Sequence, residues 1–214
     1  MKRVFLSLIL SLFLLVASAE GISNYKELLA FAKAVNKEAD LSAWKNEKGV
    51  VCLKADIDMK KGKKFPTMQK FEGTFDGCGY KLYNWTPQSG LFHELAPTAV
   101  VKNLTIDSSC RMEVEVSLND SNIYVAYIAN LNHGLLFDCV NNGSIEVVGD
   151  EAYKMIMVGG LVARSYNILH NCKNTGTISV RMRGSKQKTG MSVRVGGLVG
   201  GNQGKVNSHS TFSN

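Results

Sequence analysis

The phrase Val195-Gly196-Gly197-Leu198-Val199-Gly200-Gly201-Asn202 limits what this chain can fold into more than any other stretch. It recurs as Val158-Gly159-Gly160-Leu161-Val162-Ala163, loosely as Val125-Ala126-Tyr127-Ile128-Ala129-Asn130, and most weakly as Gly90-Leu91-Phe92. The apolar residue after the glycine position falls at Leu91, Ile128, Leu161 and Leu198, at spacings of 37, 33 and 37 residues. Repetition at a period of roughly 20 to 50 residues is the mark of a stacked, solenoid-type architecture. The phrase is not a nucleotide loop: it lacks the Gly-x-Gly-x-x-Gly spacing and recurs where no helix is expected to follow.

The rest of the repeat aligns as well. Leu136 to Ile145 matches Leu169 to Ile178 at an offset of 33, bringing Cys139 over Cys172 and one Asn-x-Gly turn over the next. After that turn a strand is expected, with Ile178, Val180 and Met182 facing inward and Ser179, Arg181 and Arg183 facing outward. Ile123, Ile156 and Val193 share one register, and Val125, Val158 and Val195 another. Apolar ladders with glycine or asparagine corners are what stacked parallel coils require, since each coil buries its inward residues against its neighbours. The expected fold is all-β: a right-handed parallel β-helix. Gly159, Gly160, Leu161, Gly196, Gly197, Leu198, Cys139 and Cys172 are read as its structural repeat residues.

Three segments follow. Residues 1–19 read as a secretory signal: Lys2 and Arg3, an apolar run from Val4 to Val16, then Ala17-Ser18-Ala19 as the cleavage site. A membrane anchor is the alternative, but the run is short of the roughly 20 residues a bilayer requires. Residues 20–43 form a helical cap, with a helix over roughly 24–37 whose apolar face is Tyr25, Leu28, Leu29, Ala32 and Val35. Asn24 and Glu27 have capping-box spacing. An isolated amphipathic helix must lie on something, and the open end of a solenoid is the natural place. Residues 44–214 are the coils. After Leu198 the chain is short of half a period, so the last coil is expected to be uncapped and open to end-to-end association.

Without Lys2 and Arg3, Lys+Arg falls from 25 to 23 against 18 acids, a net charge of +5. Two clusters hold much of it: Lys60, Lys61, Lys63 and Lys64, and Arg181, Arg183, Lys186 and Lys188. They read as solvated turns or as contacts to an anionic polymer. No aromatic platform adjoins either, so nucleic acid is not an expected partner. The five cysteines show no zinc-site spacing. Cys139 and Cys172, one coil apart, read as a ladder of buried thiols or as a disulfide, with strand spacing favouring the thiols.

Gly196 to Gly200, together with the Asn171-Cys172-x-Asn174-x-Gly176-x-Ile178 phrase, resembles the GLUG repeats of secreted and surface bacterial proteins of Bacteroidetes and Firmicutes. Ala55 to Met59 and Gly73-Thr74-Phe75-Asp76-Gly77-x-Gly79 look like the usual N-terminal partner of such repeats. The likeness covers about Trp44 to Phe212. It implies a surface protein, adhesin-like in many relatives; some similar repeats precede immunoglobulin-A metallopeptidase domains.

Parallel β-helices also carry polysaccharide lyases and hydrolases, so Asp56, Asp58 and Asp76 are weighed as catalytic carboxylates. The competing reading is that they accept hydrogen bonds from corner amides, and the resemblance supports it. The four histidines share no register, and no His-Glu-x-x-His, Gly-x-Ser-x-Gly or phosphate-loop motif occurs. No cofactor or metal is expected. Segments 117–122, 149–153 and 184–189 lie between the same two strands of successive coils and are expected to form a loop wall. Beside it, Arg181, Arg183, Arg194, Lys186, Lys188 and Tyr124 are the candidate binding residues for glycan or a surface protein. The leading expectation is a secreted, non-catalytic, adhesin-like protein. A polysaccharide-degrading enzyme and a structural fragment of a longer repeat protein are the alternatives.

Overall fold

The computed structural model describes residues 21–59, 64–117, 122–149, 155–182, 192–207 and 211–212. Residues 1–20, with the expected signal segment, and Lys60, Lys61, Lys63, Arg183, Lys186, Lys188 and most of the residues of the expected loop wall lie outside that set.

Strands stack, always in parallel, into five sheets. Sheet 1 holds Val50–Cys52, Thr74–Asp76, Val100–Lys102, Leu135–Phe137 and Leu169–His170. Sheet 2 holds Ile57–Asp58, Lys81–Tyr83, Thr105–Ile106, Val140–Asn141, Lys173–Asn174 and Thr211–Phe212. Sheet 3 holds Met68–Phe71, Phe92–Leu95, Ala129–Asn132, Val162–Ser165 and Val199–Asn202. Sheets 4 and 5 have three strands each: Arg111–Val116, Ser144–Gly149 and Ile178–Met182, then Ile123–Val125, Met155–Gly159 and Ser192–Gly196. Each strand pairs with the strand one coil away, as in a parallel β-helix.

The coils are of two sizes. In sheet 3 Met68 pairs with Phe92, 24 residues on, whereas Phe92, Ala129, Val162 and Val199 are 37, 33 and 37 residues apart. The short coils run from sheet 1 to sheet 2 and back through sheet 3. The long ones insert sheets 4 and 5 after sheet 2, so coiling begins at Val50, upstream of the first copy of the glycine phrase.

The core is the stack of inward residues. Leu91, Ile128, Leu161 and Leu198 form one buried column, as the spacing predicts. Ile123, Ile156 and Val193 lie in register, as do Val125, Val158 and Val195. Val195, on the last coil, is half exposed because no rung lies beyond it among the described residues. Inside the core at the sheet 2 corner, Asn141 donates to Asn174 at 2.7 Å and accepts from the Gly143 N–H at 3.0 Å. This satisfies amides that a buried turn would otherwise leave without water. The outer corner after sheet 1 uses Asn103, Asp138 and Asn171, each with φ near +51°, a conformation Asn and Asp tolerate. Asn171 donates to Asp138, and Asn103 to Asp76 at 2.9 Å, so these corners are laced coil to coil.

Helix α1 is Tyr25–Asn36. Asn24 accepts from the Glu27 N–H at 3.1 Å, and the Glu27 carboxylate accepts from the Ser23 N–H at 2.7 Å. The buried face is Leu28, Phe31, Ala32 and Val35, so Phe31 takes the place expected of Leu29, which is half exposed. Phe31 reaches Trp44, Phe71 and Phe75 at centroid distances of 5.8, 6.1 and 6.0 Å and closes the first end of the core. At the other end the coiling extends past Leu198, so the last coil is less bare than expected. Val206 bridges to Leu169 and Thr211–Phe212 pairs with Lys173–Asn174, adding to sheets 1 and 2. A cavity of about 430 Å³ remains there, lined by Val195, Leu198, Val199, Asn202 and Val206 among others. No helix among the described residues is long and apolar enough to cross a membrane.

Asp107, at a sheet 2 corner, shows how the coil edges are held. The Ser109 N–H, then the Lys81 ammonium at 2.9 Å, hold its carboxyl down to about 2. A depressed carboxyl stabilises the fold above its unfolded value near 4, and the contribution disappears as pH falls through 2. Lys81 is 41% exposed, so screening trims the effect. Asp107→Asn is expected to cost about 1 kcal/mol at neutral pH and almost nothing at pH 2. Urea denaturation at both pH values measures it, and an equal loss at both refutes it.

Candidate functional site

Strand alternation places one outward residue in every two on sheet 4, and parallel register aligns them across coils about 4.8 Å apart. Three rows result: Arg111 beside Ser144, then Glu113, Glu146 and Ser179, then Glu115, Val148 and Arg181. Glu113, Glu115 and Arg181 are exposed and Glu146 half-buried. Over them lies a shallow cavity of about 460 Å³ lined by Gln88, Glu113, Val114, Glu115, Glu146 and Val148. A flat lattice of carboxylates, hydroxyl and guanidinium groups a fixed distance apart offers both acceptors and donors to a polyol.

Arg181 projects outward as expected, but its guanidinium donates to Glu146 on the preceding coil. The sequence reading places it in a basic cluster of solvated turns or anionic-polymer contacts. Its partner lies 35 residues away, and the register decides the encounter. Both side chains are more than a third exposed, so the pair contributes at most about 1 kcal/mol and can exchange for a ligand. Among the described residues this face is richer in carboxylate than in cation.

Arg194 and Tyr124 belong to sheet 5, in one register with Met157. Arg194 is exposed. Tyr124 packs against a small apolar cluster of Ala126, Met157 and Ala163, which makes its ring a cover for that corner more than an open platform. A different aromatic column went unnoticed in the sequence. His133 and Tyr166 stack at 4.5 Å, with the Arg164 guanidinium 4.8 Å over the Tyr166 ring. Their separation is 33 residues, one repeat, and that offset was the signal for it.

The acids weighed for catalysis are engaged in structure. Asp56 accepts from the Lys81 N–H at 3.1 Å and Asp58 from Asn84 at 3.1 Å. Asp76 accepts from the Cys78 N–H at 2.8 Å and from Asn103, and pairs with Lys102 at 3.2 Å. Partial burial opposes its charge, but donation from Asn103, Cys78 and Lys102 outweighs that and holds the carboxyl below its ordinary value. It is therefore ionised and unsuited to donating a proton. Cys139 and Cys172 are buried and reduced, their thiols 3.3 and 3.5 Å from the Phe137 and His170 carbonyls, as the thiol ladder predicts.

The repeat glycines are spacers. Gly159 pairs with Gly196, and a Cβ on Gly160 would lie 2.4 Å from the Gly197 carbonyl and 2.6 Å from Asn174 Oδ1. Only glycine lets one coil's main chain approach the next so closely.

Residues 156–179 match the model of the GLUG motif. They cover sheet 5 through the first half of sheet 4 in one coil, and the GLUG resemblance read from the sequence holds there. A search of curated proteins finds no match. Among solved structures, a candidate immunoglobulin A1 protease from Bacteroides ovatus aligns with a TM-score of 0.48 at 14% identity, over 90% of this chain and 76% of that one.

Proposed function

We propose that this chain is an exported, adhesin-like β-helix that holds neutral glycan on the outer face of sheet 4. The observation that carries the reading is the in-register lattice of Glu113, Glu146, Ser179, Glu115 and Arg181, whose three glutamates line a shallow open cavity. Carboxylates at strand spacing accept hydrogen bonds from vicinal hydroxyls, and the outward Val148 side chain gives the cavity an apolar part for the face of a sugar ring. An anionic polymer would meet Glu113 and Glu115 unfavourably, which favours neutral over acidic glycan. The GLUG repeat and the apolar, positively led N-terminal run support export and a surface location.

Arrays of immobilised neutral and acidic glycans test it. Retention on neutral glycan is expected, weakened at least tenfold by Glu113→Gln with Glu115→Gln, and more weakly by Arg181→Ala. Binding confined to acidic glycans, or none at all, overturns the reading. Glu113 and Glu146 are also rung partners on adjacent coils, and glycoside hydrolysis uses a pair of carboxyl groups flanking the scissile bond. Release of reducing ends, abolished by Glu113→Gln, would replace a binding function with this enzymatic one.

A further inference from the structure

Cys52 and Cys78 lie in different coils, yet their sulfurs and an Asp76 carboxylate oxygen all fall within 4.8 Å of one another. The register explains this. Cys52 is the rung partner of Asp76, and the chain turns back over that rung at Cys78, which takes a left-handed φ of +51°. Cys78 is exposed on the corner, whereas Cys52 is buried beneath it, with Asn46 Nδ2 3.6 Å from its sulfur. The other three cysteines are all buried. This pair therefore combines two close sulfurs with one that solvent reaches.

We propose that Cys52 and Cys78 are a thiol–disulfide site that staples the first coil to the second. The co-reactant is a dithiol–disulfide oxidoreductase or a small disulfide such as oxidised glutathione. Cys78, once deprotonated against the partial burial and the Cys52 and Asp76 contacts that push its thiol up to about 12, attacks one sulfur of that disulfide, and a mixed disulfide forms as the other sulfur departs. Cys52 then attacks the Cys78 sulfur and releases the second sulfur. The two cysteines lose two electrons to the reagent disulfide, which is reduced to two thiols, and the two protons given up by Cys52 and Cys78 are taken by the departing thiolates.

A metal ion is the competing occupant of the cluster, and the surroundings disfavour it. Asp76 Oδ1 already accepts from the Cys78 N–H and from Asn103, and the Lys102 ammonium stands 3.2 Å from Oδ2. A cation would have to displace that ammonium, while a disulfide needs the two sulfurs alone. The staple would act on the capped end of the core. The Ile22 N–H donates to the Cys52 carbonyl at 2.8 Å and the Lys54 N–H to the Ile22 carbonyl at 2.8 Å, so the segment leading into α1 is bonded to this rung. Closing a loop from residue 52 to 78 reduces the entropy of the unfolded chain.

The test uses the full chain equilibrated with reduced and oxidised glutathione, then alkylated and digested without reduction. A linked Cys52–Cys78 peptide is expected, with Cys110, Cys139 and Cys172 alkylated only after unfolding. Oxidation should raise the melting temperature by about 5–10 °C, an effect absent in Cys78→Ser, whose exposed position tolerates the change. Glutathione held on Cys78 with Cys52 still alkylatable overturns the proposal. So does retention of stoichiometric zinc that protects both thiols from oxidation.

Discussion

Gly159→Ala should destabilise the protein by about 3 kcal/mol or more, although it adds a single methyl group. The added Cβ would lie 2.0 Å from the Val162 carbonyl oxygen, 2.8 Å from the Gly200 nitrogen and 3.0 Å from the Leu198 carbonyl oxygen. All three are main-chain atoms, two of them on the next coil, so no side chain can swing aside. The backbone at Gly159 is outside the left-handed region, hence alanine suffers no penalty in φ and the cost is one of space. Gly49 reverses the situation: its φ is +73° but nothing lies within 4 Å of the position a Cβ would take. Gly49→Ala should therefore cost only about 1 kcal/mol. Urea denaturation of both variants decides the matter. If Gly159→Ala proves the milder, the repeated glycine is not a spacer between coils.

Phe31→Ala is expected to cost about 3–5 kcal/mol. Phe31 is fully buried against Trp44, Phe71 and Phe75, and the aromatic column continues through Phe71 and Phe75 to Phe92 at 5.0 and 5.9 Å. Its loss opens a cavity at the point where α1 closes the core. Leu29→Ala, two residues away on the half-exposed side of the same helix, should cost less than about 1 kcal/mol. Thermal melts with a dye that reports exposed apolar surface distinguish the two. Equal losses would show that α1 contributes its own helix stability and does not seal the core.

The stacking was legible because a coil must repeat its inward residues at the same place in the sequence. Leu91, Ile128, Leu161 and Leu198 carry that signal, and so do the pairs Ile145 with Ile178 and Cys139 with Cys172. The short coils were less legible. From Val50 to Phe92 the rungs are 24 to 26 residues apart and the glycine phrase occurs only as its weakest copy, Gly90-Leu91-Phe92, at the end, so no earlier copy advertises the period. The helix was placed correctly but its face was misjudged at Phe31, since helical spacing admits both Leu29 and Phe31 until the core beneath is known. The candidate site was the least legible part. Arg181, Arg194 and Tyr124 were found where alternation put them, but Glu113, Glu115 and Glu146 passed unnoticed because each is an ordinary strand-surface acid within its own repeat.

The sequence alone determined the repeating unit, the residues that face inward, and the corners that glycine, asparagine or aspartate favour, because these are properties of one coil and are restated in the next. Tertiary structure decided what lies between coils: the Arg181–Glu146 ion pair, the His133–Tyr166 stack, and the approach of Cys52 to Cys78. Those contacts depend on register and on the number of sheets each coil visits. A change of one residue in register would turn every outward group inward, so the same side chains would meet different partners or none.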